Sequence, residues 1–101
     1  MGYTVIANTT DIPNGQMKAF NAGSKDIMIT NIDGQYYAMD RKCTHFGGDL
    51  SKGKLEGKVV TCPRHGAKFD VTSGKCIGGP AKKDEPAYEV KVDGTNILID
   101  I

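Results

Sequence analysis

Two Asp-Gly dipeptides, Asp33-Gly34 and Asp93-Gly94, each stand between runs in which strand-type apolar residues recur. Ile27-Met28-Ile29-Thr30-Asn31-Ile32 leads into the first, and Gln35-Tyr36-Tyr37-Ala38-Met39 follows it. Tyr88, Val90 and Val92 share one face before the second, and Ile97, Ile99 and Ile101 share one face after it. Period-two spacing is the mark of a half-buried strand, and Asp-Gly supplies two residues tolerant of the positive φ that a type I′ turn requires. Antiparallel hairpins are therefore expected at both places. Weaker strand patterns cover residues 3–7, 17–20, 58–61 and 68–71. Thirteen glycines and four prolines interrupt the chain every few residues, and no window sustains a 3.6-residue period, so helix is not expected. Tyr36, Tyr37 and Tyr88 read most simply as core or cross-strand residues.

A length of 101 residues accommodates one domain with a modest core. With 39% hydrophobic and 25% charged residues, the composition is that of a globular protein and excludes a disordered chain. No run of about 18 apolar residues encodes a membrane span, and the first ten residues lack the basic start and apolar stretch of a secretory signal. The three cysteines are an odd number, incompatible with a complete disulfide framework. Together these point to a cytoplasmic protein without a membrane anchor, in which cysteines near histidines serve as metal ligands or catalysts.

The net charge of +1 is unevenly spread. Residues 41–83 hold ten Lys/Arg and three Asp/Glu, a net +7, while the remainder holds three and nine, a net −6. This basic stretch contains all three cysteines and both histidines, in the pattern Cys43-Thr44-His45, sixteen residues, then Cys62-Pro63-Arg64-His65. Each half supplies one thiolate and one imidazole within a few residues, so that both side chains of a half turn toward one point from a tight loop. Gly47-Gly48 and Gly66 permit the unusual dihedrals of such loops and leave backbone N–H groups close to a metal.

Cys-x-His, a gap near sixteen and Cys-x-x-His-Gly together resemble the Rieske iron–sulfur proteins. The likeness runs through residues 43–49 and 62–70 to Gly78-Gly79-Pro80-Ala81, which is similar to the proline loop that covers the cluster in that family. The resemblance implies an all-β fold, an antiparallel β-sandwich or incomplete barrel with a small cluster-binding subdomain inserted. Residues 1–39 and 81–101 would form the base of this single domain and residues 40–80 the insert. It further implies one [2Fe–2S] cluster, with Cys43 and Cys62 on one iron and His45 and His65 on the other. Two neutral imidazoles in place of two thiolates make the site less negative and raise its potential, into a range of about −150 to +300 mV.

High-potential members of the family carry a second cysteine in each loop and a serine and tyrosine that donate hydrogen bonds to the cluster. The matching positions here are Gly48, Arg64, Ala67 and Phe69, so a low-potential, ferredoxin-like carrier is expected. It would be no enzyme itself, taking one electron from a reductase and passing it to a terminal oxidoreductase. Phe46, Pro63 and Pro80 would form an apolar rim at the exit, with the basic lobe as a docking surface for acidic partners. No nucleic-acid-binding motif accompanies the lysines.

Three other readings compete. The chain could be a small electron-transfer subunit of an oxygenase or nitrite-reductase-type complex. A structural Cys₂His₂ zinc site has the same donors, but its ordinary spacing pairs cysteine with cysteine and histidine with histidine. A thiol enzyme needs one nucleophile and one base, and two equivalent Cys/His pairs suit that poorly. Cys76 is outside the pattern and reads as a small semi-buried residue after the Ser73-Gly74 turn.

Overall fold

The computed structural model describes residues 2–43, 48–63, 66–79 and 83–101. Eleven strands and two single-turn 3₁₀ helices, Thr9–Asp11 and Leu50–Lys52, make up its regular structure. The strands are β1 (Tyr3–Asn8), β2 (Met17–Ala22), β3 (Lys25–Ile32), β4 (Gln35–Asp40), β5 (Lys54–Glu56), β6 (Val59–Thr61), β7 (Lys68–Asp70), β8 (Cys76–Gly78), β9 (Ala87–Tyr88), β10 (Val90–Asp93) and β11 (Asn96–Asp100). They form three antiparallel sheets ordered β1-β11-β10, β2-β3-β4-β9 and β5-β6-β7-β8. The expected all-β antiparallel architecture is thus the one observed. Among the described residues no helix is long and apolar enough to cross a membrane.

The first Asp-Gly turn forms as expected. Ile32 pairs with Gln35, and Asp33 and Gly34 take φ of 52° and 85°, the two positive values of a type I′ turn. The second is displaced by one residue. Asp93 still belongs to β10 and pairs with Asn96, so the turn residues are Gly94 and Thr95, and only Gly94 has positive φ, 62°. A glycine at the first turn position is the type II′ solution, which leaves Asp93 free to extend the strand.

The strand expected through Tyr88, Val90 and Val92 is broken. Tyr88 pairs with Ala38 in one sheet, whereas Val90 pairs with Ile99 in another. The chain changes sheets at Glu89. Three short strands were also not evident from periodicity: β5, β8 and β9 are two or three residues long, too short to show an alternation.

The hairpin of β3 and β4 is the wall that holds the molecule together. Its alternation sends Ile27, Ile29 and Ala38 into a core with Ala7, Ile12, Ile97 and Ile99. Met28 and Met39, paired across the hairpin, point the opposite way into a second core with Leu50, Val60, Phe69, Val71 and the two cysteines 43 and 62. Residues 27–30 are therefore buried on both faces, where half-burial was expected. Buried apolar area stabilises by about 25 cal/mol per Å², and one hairpin contributes on both sides.

Candidate metal centre

Both sequence halves of the motif close in the same way. The Cys43 N–H donates to the Gly48 carbonyl at 2.7 Å, and the Cys62 N–H donates to the Ala67 carbonyl at 2.7 Å. Outside these bonds Lys42 bridges to Asp49, and Thr61 pairs with Lys68. Each cysteine thus starts a four-residue loop at the end of an antiparallel pair, and the same hydrogen bond closes both loops. His45 and His65 fall within these loops, and both lie outside the described residues, as do Arg64, Phe46 and Pro80 of the expected site and rim. Pro63 is exposed.

Cys43 and Cys62 are each 3% exposed and belong to one apolar cluster with Leu50, Val60, Ala67 and Phe69. Neither is in a disulfide. Two soft thiolate donors at matching ends of two parallel-built loops suit an iron–sulfur cluster, with a dry wall behind them that limits solvent access. The residues present therefore fit the group.

A third segment presses on the second loop. Gly79 has φ of 79°, and a Cβ there would lie 2.6 Å from both the Ala67 Cα and the Gly66 carbonyl oxygen. The start of the proline-containing segment is held against the Cys62 loop by an approach that only glycine allows. Gly79→Ala is expected to cost about 2 kcal/mol or more, from left-handed strain plus the clash. Gly94→Ala, at φ of 62° with nothing within 4 Å, isolates the strain, about 1–2 kcal/mol. Thermal melts of the two variants check this, and equal losses would remove the packing role of Gly79.

Two carboxylates cap turns that flank the lobe, Asp49 just after the first loop and Asp70 at the far end of β7. Asp49 accepts from the Ser51 N–H at 3.0 Å and from its hydroxyl at 2.6 Å, and pairs with Arg41 at 3.2 Å. Asp70 accepts from the Thr72 N–H at 2.9 Å and hydroxyl at 2.6 Å, and pairs with Lys58 at 3.4 Å. Burial alone would raise these carboxyls, but the hydrogen bonds and the neighbouring cation outweigh it and hold both below the usual range. A depressed carboxyl favours the folded state above its unfolded pKa, and that contribution is withdrawn in acid as pH falls through the folded value. Sequence reading missed this pair. The signal was available as Asp-x-Ser just beyond the first loop and Asp-x-Thr at the end of β7, the local pattern of a side chain capping the backbone two residues on.

Tyr88 ties β9 to the entry of the first loop. Its hydroxyl donates to Asp40, three residues before Cys43, and the Asp40 N–H donates to the Pro86 carbonyl at 2.9 Å. Burial first and the Asp40 carboxylate second push the Tyr88 hydroxyl well above its ordinary pKa, so it stays a donor. Cys76 is half-buried, packs against the cluster of Cys43 and Cys62, and pairs with Phe69 across β7 and β8. This is the placement expected of a small core-edge residue.

Residues 2–96 match the family model of the Rieske [2Fe-2S] domain. The ferredoxin component of the naphthalene 1,2-dioxygenase/salicylate 5-hydroxylase systems of Ralstonia sp is 36% identical over 89 residues, 88% of this chain and 86% of that one. The biphenyl 2,3-dioxygenase ferredoxin component of Rhodococcus jostii (strain RHA1) is 36% identical over 101 residues, 100% of this chain and 94% of that one. The solved ferredoxin of carbazole 1,9a-dioxygenase from Nocardioides aromaticivorans IC177 superposes with a TM-score of 0.92 at 28% identity, over 98% of this chain and 97% of that one. A chain with two equivalent cysteine loops, this fold and these relatives over nearly its whole length belongs to the Rieske [2Fe-2S] domain family, and its cofactor is a [2Fe–2S] cluster.

Proposed function

We propose that Cys43, His45, Cys62 and His65 hold this cluster, and that the chain is the ferredoxin component of a cytoplasmic dioxygenase system. Residues 40–80 form its cluster-binding insert and residues 1–39 and 81–101 its base. The cluster supplies reversible one-electron chemistry when bound. The protein's own residues set the loops, exclude water behind the thiolates and present the site at one end. The observation that carries this reading is the pair of equivalent loops, each closed from a cysteine N–H at 2.7 Å, on a chain that spans 86% and 94% of two dioxygenase ferredoxin components. A reductase would be the donor and a terminal oxygenase the acceptor; those relatives are ferredoxin components of dioxygenase systems, and a solved complex pairs an oxygenase with the ferredoxin of carbazole 1,9a-dioxygenase. Interleaved ligands in two such loops disfavour the zinc reading, and two equivalent Cys/His pairs disfavour a single-nucleophile thiol enzyme.

The test is metal and sulfide analysis of the purified chain, joined to electron paramagnetic resonance after dithionite reduction. Iron and acid-labile sulfide in equal amounts, a red-brown colour, and an average g below that of all-cysteine clusters are the expected results. Zinc, or no labile sulfide after anaerobic reconstitution, would end the proposal.

A further inference from the structure

The sheet of β5 to β8 has an inner face of Leu55, Val60, Phe69 and Cys76, which pair in a row across its strands and pack into the core. Alternation then fixes its outer face. The row nearest the cysteine loops is Lys54, Thr61, Lys68 and Gly78, joined strand to strand. Thr61 directly precedes Cys62, so this row lies one residue behind a thiolate. Lys54 and Lys68 are exposed, and among the described residues neither is within ion-pair distance of a carboxylate. The next row out, Glu56, Val59 and Asp70, carries the acidic groups, and Asp70 is occupied by Lys58 and Thr72. Positive charge is therefore concentrated on the side of the sheet that faces the site.

The register between β7 and β8 shifts at Lys68 and Phe69, which face Gly78 and Cys76. Ile77 is the extra residue of this bulge and stands 50% exposed. The Lys68 stem lies along β8, because a Cβ at Gly78 would meet its Cβ at 3.8 Å and its Cδ at 3.9 Å. The bulge lies between two β7–β8 pairs and turns an apolar side chain outward next to Gly78, along which the Lys68 stem runs. An exposed aliphatic residue on the same sheet as two lysines without an ion-pair partner among the described residues is the composition of a contact patch: an apolar element with charges that steer its partner.

We propose that this outer face, Lys54, Lys68 and Ile77 beside the Cys62 loop, is where the chain docks an acidic surface of its electron-transfer partner. The inference rests on the carrier reading above. Charge complementarity fixes the chemistry of the occupant: the base of the molecule is net negative and the lobe net positive, so an acidic partner is drawn to the lobe and turned toward the site as it arrives.

The experiment uses the reduced holoprotein and hexacyanoferrate(III), an anionic acceptor that takes one electron and becomes hexacyanoferrate(II). Stopped-flow oxidation is expected to slow as salt rises. In K54E/K68E the rate is expected to fall about tenfold or more at about 10 mM ionic strength and to converge with wild type at about 0.5 M. K91E, on the β1-β11-β10 sheet, is expected to stay within about twofold of wild type, since none of the described residues of that sheet packs into the core that holds Cys43 and Cys62. Ile77→Ser is expected to leave this small-ion rate unchanged, since its role is contact with a protein surface. A K54E/K68E rate equal to wild type at low salt overturns the proposal. So does an unchanged rate combined with loss of binding to a DNA duplex, which would reassign the lysines to a nucleic acid. Iron and sulfide are measured first in every protein: a wild-type chain without a cluster refutes the carrier reading, whereas full clusters with unchanged rates refute only the docking face.

Discussion

Cys62→Ser is expected to yield a colourless protein with less than about a tenth of the wild-type iron and labile sulfide. Serine retains the shape but offers a hard, protonated oxygen where iron–sulfur clusters take thiolate. The thiol sits 3% exposed in a wall of Val60, Ala67 and Phe69. A hydroxyl placed there loses water, at a cost of about 1–3 kcal/mol by mutational measures, and each kcal/mol moves the melting temperature of a domain this size by roughly 4–8 °C. The variant therefore loses cofactor and stability together. Cys76→Ser is the control: the same chemical change at a half-buried residue outside both loops is expected to leave full cluster occupancy. Iron and sulfide assays beside the visible spectrum make the comparison. A Cys62→Ser protein with wild-type sulfide would remove Cys62 from the ligand set, and loss in Cys76→Ser would add a cysteine to it.

The double variant Ala67→Ser/Phe69→Tyr is expected to raise the midpoint potential on the order of 100–200 mV. Each hydroxyl that donates toward a cluster favours the more negative, reduced form. A hydrogen bond to a charged acceptor is worth roughly 1.5–3 kcal/mol, and for one electron about 1.4 kcal/mol corresponds to 59 mV. Both side chains are wholly buried in the apolar cluster that contains Cys43 and Cys62, so the added groups act in a medium that screens them little. Ala67 is held in place by the Cys62 N–H at 2.7 Å and by Gly79 from outside, which leaves its serine variant little freedom to turn away. Redox titration monitored by visible absorption reads the shift. A change of less than about 30 mV with full cluster content would show that these two positions do not reach the site.

Much of this was legible in residues 1–101 read as a string. Interleaved Cys-x-His and Cys-x-x-His supplied the candidate ligands, because donor type and short spacing are local properties. Alternation located β3, β4 and β11, and Asp33-Gly34 set the first hairpin, because strand period and turn dihedrals belong to a few adjacent residues. Even so, local signals misplaced the second turn by one residue, since the register of β10 with β11 decides whether Asp93 turns or extends. The same holds for Tyr88 and Val90, which share a pattern and still part into different sheets, because Tyr88 pairs with Ala38, far back in the chain, and Val90 with Ile99 across the second turn. Only the tertiary structure decided that Met28 and Met39 face the cysteines while Ile27 and Ile29 face the other core. Only it brought Gly79 against Ala67, closed two distant loops with the same bond, and gathered Lys54 and Lys68 on one face. Such contacts join segments far apart in the chain, and what selects them is the burial of whole faces and the satisfaction of backbone groups across sheets, which no short window of sequence contains.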